Sequence, residues 1–214
     1  MTVLKISKKS RIIISVSILV LGLLICGGSL AFFTSHDEVT NQFNSKTLSI
    51  ELREPDWDST GYDMAQKAVP GMVIPKDPYI YNNSDAAVYV RMKVELEIDG
   101  QKYTSGDLYE RMFSYIYLNN GTNDDLFFDT ENNTCNNSDF VYYDGYFYYA
   151  SNESCKILKP HSSTPKLFDC VKLPVLKTEY NGFFDKNFTI KVIAEGVSTS
   201  VVSDPKIEEC ADKF

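Results

Sequence analysis

The sequence predicts an all-β protein with one or two short helices, folded as a jelly-roll-like antiparallel β-sandwich. Apolar and polar residues alternate strictly from Ala86 to Ile98, which is the period of a β-strand. Asp144-Gly145 separates two runs of aromatic residues, as in a tight β-hairpin. Aromatic residues make up 13% of the 214-residue chain, and this content favours a β-rich core over disorder.

The N-terminus has the pattern of an export signal. Basic residues precede an apolar run at Ile12–Ile25, and Ser29 and Ala31 are the small residues that a signal peptidase requires. We therefore expect cleavage after Ala31, with Phe32 as the new N-terminus and a secreted or cell-surface location. The alternative is a retained membrane anchor, since Ile12–Phe33 is long enough to span a bilayer.

The segment before the long strand contains two predicted extended pieces. Thr47–Leu52 alternates and predicts the first strand. Asp56–Lys67 begins like a calcium-binding loop, but Lys67 stands where a bidentate Glu is required, so an ordinary loop is favoured over a calcium site. Met72–Tyr81 contains two prolines and predicts an irregular edge strand with unpaired backbone groups.

The long strand is expected to have one buried face and one water-facing side, with Tyr89 and Arg91 on the latter. Ser105 is expected to cap a short helix that turns its apolar residues Leu108, Met112 and Phe113 inward. The following Asn119–Asp139 is rich in Asn, Asp, Thr and Gly and is expected to be the least structured part.

Phe140–Ala150 predicts a hairpin that pairs Phe140 with Tyr149 and Tyr142 with Phe147. Its tyrosine-rich face either stabilises the hairpin or forms a carbohydrate or subunit contact. Two more strands are expected at 166–173 and 187–195. The predicted division of the chain is a signal peptide at 1–31, an N-terminal segment at 32–45, a β-sandwich at 46–197 and a polar tail at 198–214, which is expected to be loose except where Cys210 ties it down.

Four cysteines follow the predicted cleavage site, Cys135, Cys155, Cys170 and Cys210. In an exported chain they predict two disulfides, with three possible connectivities. Cys135 and Cys155 flank Asp144-Gly145 almost symmetrically, which favours Cys135–Cys155 and leaves Cys170–Cys210. A zinc site is the alternative, although no two of these cysteines have the short spacing typical of zinc ligands.

Charge and motif content exclude some classes of function. The chain has 21 basic and 29 acidic residues, and four of the basic ones lie before Phe32, so the predicted mature chain has a net charge of −12. Such an acidic surface excludes nucleic acid as the expected partner. The sequence contains no zinc-protease, serine-hydrolase, phosphate-loop or dinucleotide motif, so we expect no catalytic site, cofactor or metal.

The chain resembles the TasA/camelysin family of exported Gram-positive proteins. The resemblance is carried by GGSLAFFTSHDEVTNQFN, LSIELREPDW and VPGMVIPKDPYIYNNSDAAVYVRMKVELEIDG, and then by VYYDGYFYYASNESCKILKPHSSTPKLFDCVKLP and FTIKVIAEGV. It implies a jelly-roll subunit of extracellular matrix fibres, processed by a SipW-type signal peptidase. Camelysin-like metalloprotease activity is not carried over, because the zinc motif is lacking.

The expected function is therefore that of a self-associating structural protein of a biofilm matrix or cell surface, with other matrix or wall components as further partners. Phe32, Phe33, Val39 and Phe43 lie in a free N-terminal end without a strand pattern of its own. Such a segment can add a strand to the sheet of a neighbouring subunit. The alternative is a secreted adhesin or binding module that does not self-assemble.

Overall fold

A computed structural model describes residues 48–173, 175, 187–200 and 205–214, with the backbone alone at 122–124. This part of the chain is an all-β antiparallel sandwich with few short helices, which confirms the predicted fold class. The strands in chain order are β1 (Ile50–Arg53), β2 (Val73–Pro75), β3 (Tyr79–Asn82), β4 (Val88–Ile98), β5 (Gln101–Tyr103), β6 (Ile116–Tyr117), β7 (Phe128–Asp129), β8 (Thr134–Cys135), β9 (Phe140–Tyr143), β10 (Tyr146–Ser151), β11 (Ser154–Cys155), β12 (Cys170–Lys172) and β13 (Phe188–Ser198). The helices are α1 (Tyr62–Ala65), α2 (Asp107–Phe113) and α3 (Ile207–Ala211), with a π-helical turn at Trp57–Gly61 and a 3₁₀ turn at Asn119–Asp124.

The predicted long strand is β4, and it lies at the centre of the main sheet. Antiparallel β13 pairs with β4 along its whole length, in a register that sets Val192 opposite Val94. On the other side, β4 pairs with β10 and with β5. Since β9 and β4 both pair with Phe147 and Tyr148 of β10, they lie on opposite sides of β10, and β9 extends the sheet further.

A second layer packs against one face of this sheet. It contains the three-stranded sheet β2-β12-β6 and the two-stranded sheet β1-β3. Ile74 of β2 and Val171 of β12 share one buried cluster with Val94 and Val192 of the main sheet. The apolar face of each sheet is thereby removed from water, which is the main stabilising contribution in a sandwich.

Helix α2 forms close to the predicted place, but Ser105 does not cap it. The N-cap is Gly106 at φ 87°, and no side chain caps the first turn. Met112 and Phe113 are buried as expected, and Phe113 packs with its ring centroid 4.7 Å from that of Phe128. This contact anchors the helix in the core.

The predicted hairpin is confirmed in position, turn and register. Asp144 and Gly145 have φ values of 47° and 83°, as a type I′ turn requires. Phe140 lies opposite Tyr149, and Tyr142 lies opposite Phe147. The chain then turns back at Asn152, where Ser154–Cys155 forms a second short hairpin with the end of β10.

Two predicted loops are structured instead. Asp56–Lys67 was expected to be a loop, but it contains the π-helical turn and α1. The cause lies far along the chain, because the Asp77 carboxylate accepts hydrogen bonds from the backbone N–H groups of Asp56 at 2.9 Å and Trp57 at 3.4 Å. Asn119–Asp139 contains β7 and β8, and its Phe127 is fully buried in the core.

The expectation that one face of β4 is open to water is wrong. Tyr89 and Arg91 on that face are only 2% and 8% exposed. They are covered by C-terminal residues, since Ile207 and Cys210 of α3 form a second buried cluster with Tyr89 and Tyr148. The C-terminal residues were expected to be loose except at Cys210, but Ile207, Ala211 and Phe214 also pack on this outer face of the main sheet.

Candidate assembly surface

One edge of the main sheet is formed by β13. Within the described residues, β13 pairs with β4 and with no other strand. An unpaired edge of this kind is a template for the addition of another strand. All 11 residues of β13 are in register with β4, and the part of the edge considered below is Ile190–Ala194.

The register determines which backbone groups point to that edge. The N–H of Asp99 donates to the C=O of Asn187 at 2.9 Å, and the N–H of Thr199 donates to the C=O of Ala87 at 3.3 Å. Odd-numbered residues of β13 therefore exchange hydrogen bonds with β4, because these bonds alternate along an antiparallel pair. The N–H and C=O groups of Ile190, Val192 and Ala194 point the other way, and no described residue bonds to them.

A groove of about 550 Å³ opens beside the start of this edge. Its walls come from both sheets, with Ile74 and Val171 on one side and Ile190 on the other. Trp57 and Tyr62 also line it, and the Tyr62 side chain is 56% exposed. The groove therefore has a mixed lining of apolar and polar residues, and it lies next to the start of β13.

Two buried charges hold the groove wall in place, and both belong to the KDP segment that carries the family resemblance. Lys76 Nζ lies 2.9 Å from each carboxylate oxygen of Glu54 and 4.6 Å from the Trp57 ring centroid. Asp77 is fully buried, and it bonds the Trp57 turn as described above and pairs with Lys166 at 3.2 Å. These contacts fix Trp57 in the lining of the groove.

The predicted edge at Met72–Tyr81 is only partly an edge. Among the described residues, β2 lies at the end of its sheet and pairs with β12 alone. In contrast, β3 pairs with β1 on one side and with the loop before β12 on the other, where the N–H of Thr164 donates to the C=O of Ile80 at 2.9 Å and the Thr164 hydroxyl accepts from the N–H of Ile80 at 3.0 Å. The segment is therefore an edge at β2 and is closed at β3.

The residues predicted for processing and assembly lie outside the described part of the chain. These are Ser29, Ala31 and Phe32 of the expected cleavage site, and Phe33, Val39 and Phe43 of the expected assembly segment. They stay predictions.

The tyrosine-rich face of the hairpin is packed rather than open. Tyr148 is fully buried, and its hydroxyl accepts a hydrogen bond from Arg91 at 2.8 Å. The Arg91 guanidinium stacks 3.7 Å from the Tyr146 ring centroid and 4.2 Å from that of Phe214, and it pairs with Glu195 at 2.6 Å. This geometry supports the interpretation that the tyrosines stabilise the sheet.

The structure contains neither predicted disulfide, since Cys135, Cys155, Cys170 and Cys210 are all free thiols. Cys135 packs against the core between the sheets, whereas Cys155 lies in the cluster on the outer face. The tight turn at Asn152 and Glu153, both at positive φ, separates the two because it reverses the chain before Cys155. Cys170 belongs to the second layer, where it pairs with Tyr117, so it too is remote from its predicted partner.

Burial raises the pKa of the Cys135 thiol to about 12 and that of the Cys170 thiol to about 11. Both thiols are therefore protonated at neutral pH and poor metal ligands. Among the residues that the structure describes, no group of three or more His, Cys, Asp or Glu side chains could hold a metal ion. No helix within the described ranges is long and apolar enough to cross a membrane.

Comparison with known proteins finds no family model, no curated protein and no solved structure that matches the chain. The geometry of the β13 edge and its groove is thus the basis for an inference about function.

Proposed function

We propose that this protein is an exported structural subunit that assembles into extracellular or cell-surface fibres by donor-strand addition at the edge of β13. The observation that carries the proposal is the combination of the open strand edge at Ile190–Ala194 with a partly apolar groove beside it. Main-chain hydrogen bonds to such an edge supply affinity, and pockets for alternate side chains supply specificity.

The donor is the segment Phe32–Asn44 of a second copy. Phe33, Val39 and Phe43 are separated by even numbers of residues, so they share one face when the segment is extended. At roughly 3.3 Å per residue, the segment is long enough to cover the groove and the outward groups of β13. Each large apolar side chain that enters the groove contributes about 1.5–3 kcal/mol.

This mode of association is head-to-tail, because the donor segment and the acceptor edge are different surfaces. A head-to-tail contact that does not close on itself produces filaments rather than dimers. It also gives the predicted cleavage a purpose, since a segment that is held in the membrane by residues 1–31 cannot insert into a neighbour. The signal peptidase and further copies of the chain are therefore the expected partners, with matrix or wall components beside them.

The test compares two purified forms by electron microscopy and sedimentation. The form that starts at Phe32 should form fibres, and the form that starts at Lys46 should stay monomeric at the same concentration. A synthetic peptide of residues 32–44 should bind the Lys46 form, and a peptide with Val39→Asp and Phe43→Asp should not.

Equal fibre formation by both forms would contradict the donor-strand mechanism. A Phe32 form that stays monomeric at every concentration would contradict assembly itself, because it would show that the segment remains within its own subunit.

A further inference from the structure

Two cysteines meet on the outer face of the main sheet. Cys155 ends β11 and Cys210 lies in α3, and their residues are only 8% and 1% exposed. The two residues belong to the same buried cluster, and the closeness of the two thiols shifts the pKa of each. This pair was missed in the sequence because 54 residues separate the two positions and nothing local connects them.

The backbone on either side holds the pair in place. Ser154 forms an antiparallel bridge with Lys206. The N–H of Cys155 donates to the C=O of Pro205 at 3.1 Å, and the N–H of Ile207 donates to the C=O of Glu153 at 3.0 Å. The closeness of the two sulfurs therefore follows from a paired backbone and not only from two side-chain rotamers.

The surroundings make the two thiols chemically different. The neighbouring Cys155 thiol lowers the pKa of Cys210, as does the positive charge of Arg91. The neighbouring Cys210 thiol, together with burial, raises the pKa of Cys155. Cys210 is thus the thiol that ionises first and acts as the nucleophile in an exchange reaction.

We propose that Cys155 and Cys210 form a disulfide in the exported protein, by exchange with a disulfide-containing oxidant. The Cys210 thiolate attacks one sulfur of the oxidant, which forms a mixed disulfide and releases one thiol of the oxidant. The Cys155 thiolate then attacks Cys210 Sγ and releases the second thiol. Overall, two cysteine thiols lose two electrons and two protons, and one disulfide of the oxidant is reduced to two thiols.

The disulfide would hold the C-terminal residues against the outer face of the main sheet. Phe214 lies just beyond α3, and its ring packs 6.0 Å from that of Tyr148, centroid to centroid, and over Arg91. A covalent link at Cys210 keeps these residues on the sheet, whereas the reduced form depends on packing alone. The disulfide can form whether or not fibres do, since it lies on the outer face of the main sheet, whereas the groove is lined by residues of both layers.

The test is peptide mapping under non-reducing conditions, on the chain that starts at Phe32 and folds in the presence of oxidised glutathione. A single cross-link between Cys155 and Cys210 is expected, with Cys135 and Cys170 open to alkylation after unfolding. Four alkylatable thiols, or any cross-link that includes Cys135 or Cys170, would overturn the proposal.

Two variants give an independent measurement on the same protein. In Cys135→Ser, reduction should speed proteolysis of the C-terminal residues by about tenfold, because their covalent tether is lost. In Cys210→Ser, reductant should leave the rate unchanged. A reductant effect of equal size in both variants would also refute the link.

Discussion

The substitution Ala194→Pro should weaken fibre assembly with little effect on folding, because the backbone N–H and C=O of Ala194 point away from β4. The neighbouring Ile193 and Glu195 carry the hydrogen bonds to β4 in this part of the ladder. Ala194→Pro therefore removes an N–H from the outer edge and leaves the ladder intact, which is where strands tolerate proline. We expect the free energy of unfolding to fall by about 1–2 kcal/mol, from the change in φ alone.

The effect on assembly should be larger than this loss suggests. Ile190, Val192 and Ala194 offer six outward backbone groups to a donor strand. At about 0.5–1.5 kcal/mol for each net hydrogen bond, they contribute about 3–9 kcal/mol to the contact between subunits. A proline ring at the edge removes one donor and holds the added strand away from its neighbours, a loss of about 1–3 kcal/mol. The critical concentration for fibres should rise by about 5–150-fold.

The assay measures the soluble fraction after fibres are sedimented, over a range of total concentrations. Ile193→Ala is the matched control, because its side chain lies on the outer face and its backbone bonds to β4. This variant should form fibres at the concentration of the unaltered chain. If Ala194→Pro also did so while its thermal unfolding stayed cooperative, β13 would not be the acceptor edge.

Two further predictions follow from charges. Asp77→Ala should destabilise the protein by about 2–4 kcal/mol, because it leaves two backbone N–H groups and Lys166 without their buried partner. Asp77→Asn should cost less, since its side-chain carbonyl still accepts hydrogen bonds from the two N–H groups. Chemical denaturation of both variants measures the two losses, and equal losses would contradict the role of Asp77 as a hydrogen-bond acceptor. Fibres should form faster at 0.5 M than at 0.05 M salt, because salt screens the repulsion between subunits that each have a net charge of −12. Light scattering measures the rate of growth, and slower growth at high salt would contradict this prediction.

The sequence predicted those elements whose cause is local. Alternation alone placed β4, and the Asp144-Gly145 pair placed the hairpin with its register, because a two-residue turn determines which residues face each other. The helical turn at Trp57 was missed because Asp77 caps it from 20 residues away. The buried Phe127 was missed because its polar neighbours in the chain resemble those of a loop.

The same distinction applies to the candidate site. A strand at β13 was expected, but its position at an edge depends on which strand lies beside it, and this is a property of the assembled sheet. The two expected cysteine pairings are not seen in the structure for a related reason, since symmetry about one turn assumes a single continuing ladder. The second turn at Asn152 breaks that symmetry. The actual neighbour of Cys155 comes from the last residues of the chain.

The pairing of β4 with β13 also affects the order of events during synthesis. Val88 and Ser198 are partners in the central ladder although 109 residues lie between them, and residues that follow Pro205 complete the described cover of the outer face of β4. The central ladder therefore cannot close until residue 198 has been synthesised. High contact order of this kind slows folding. For the export proposed above, late closure would be an advantage, because the segment from 88 to 198 stays unfolded while it is being made.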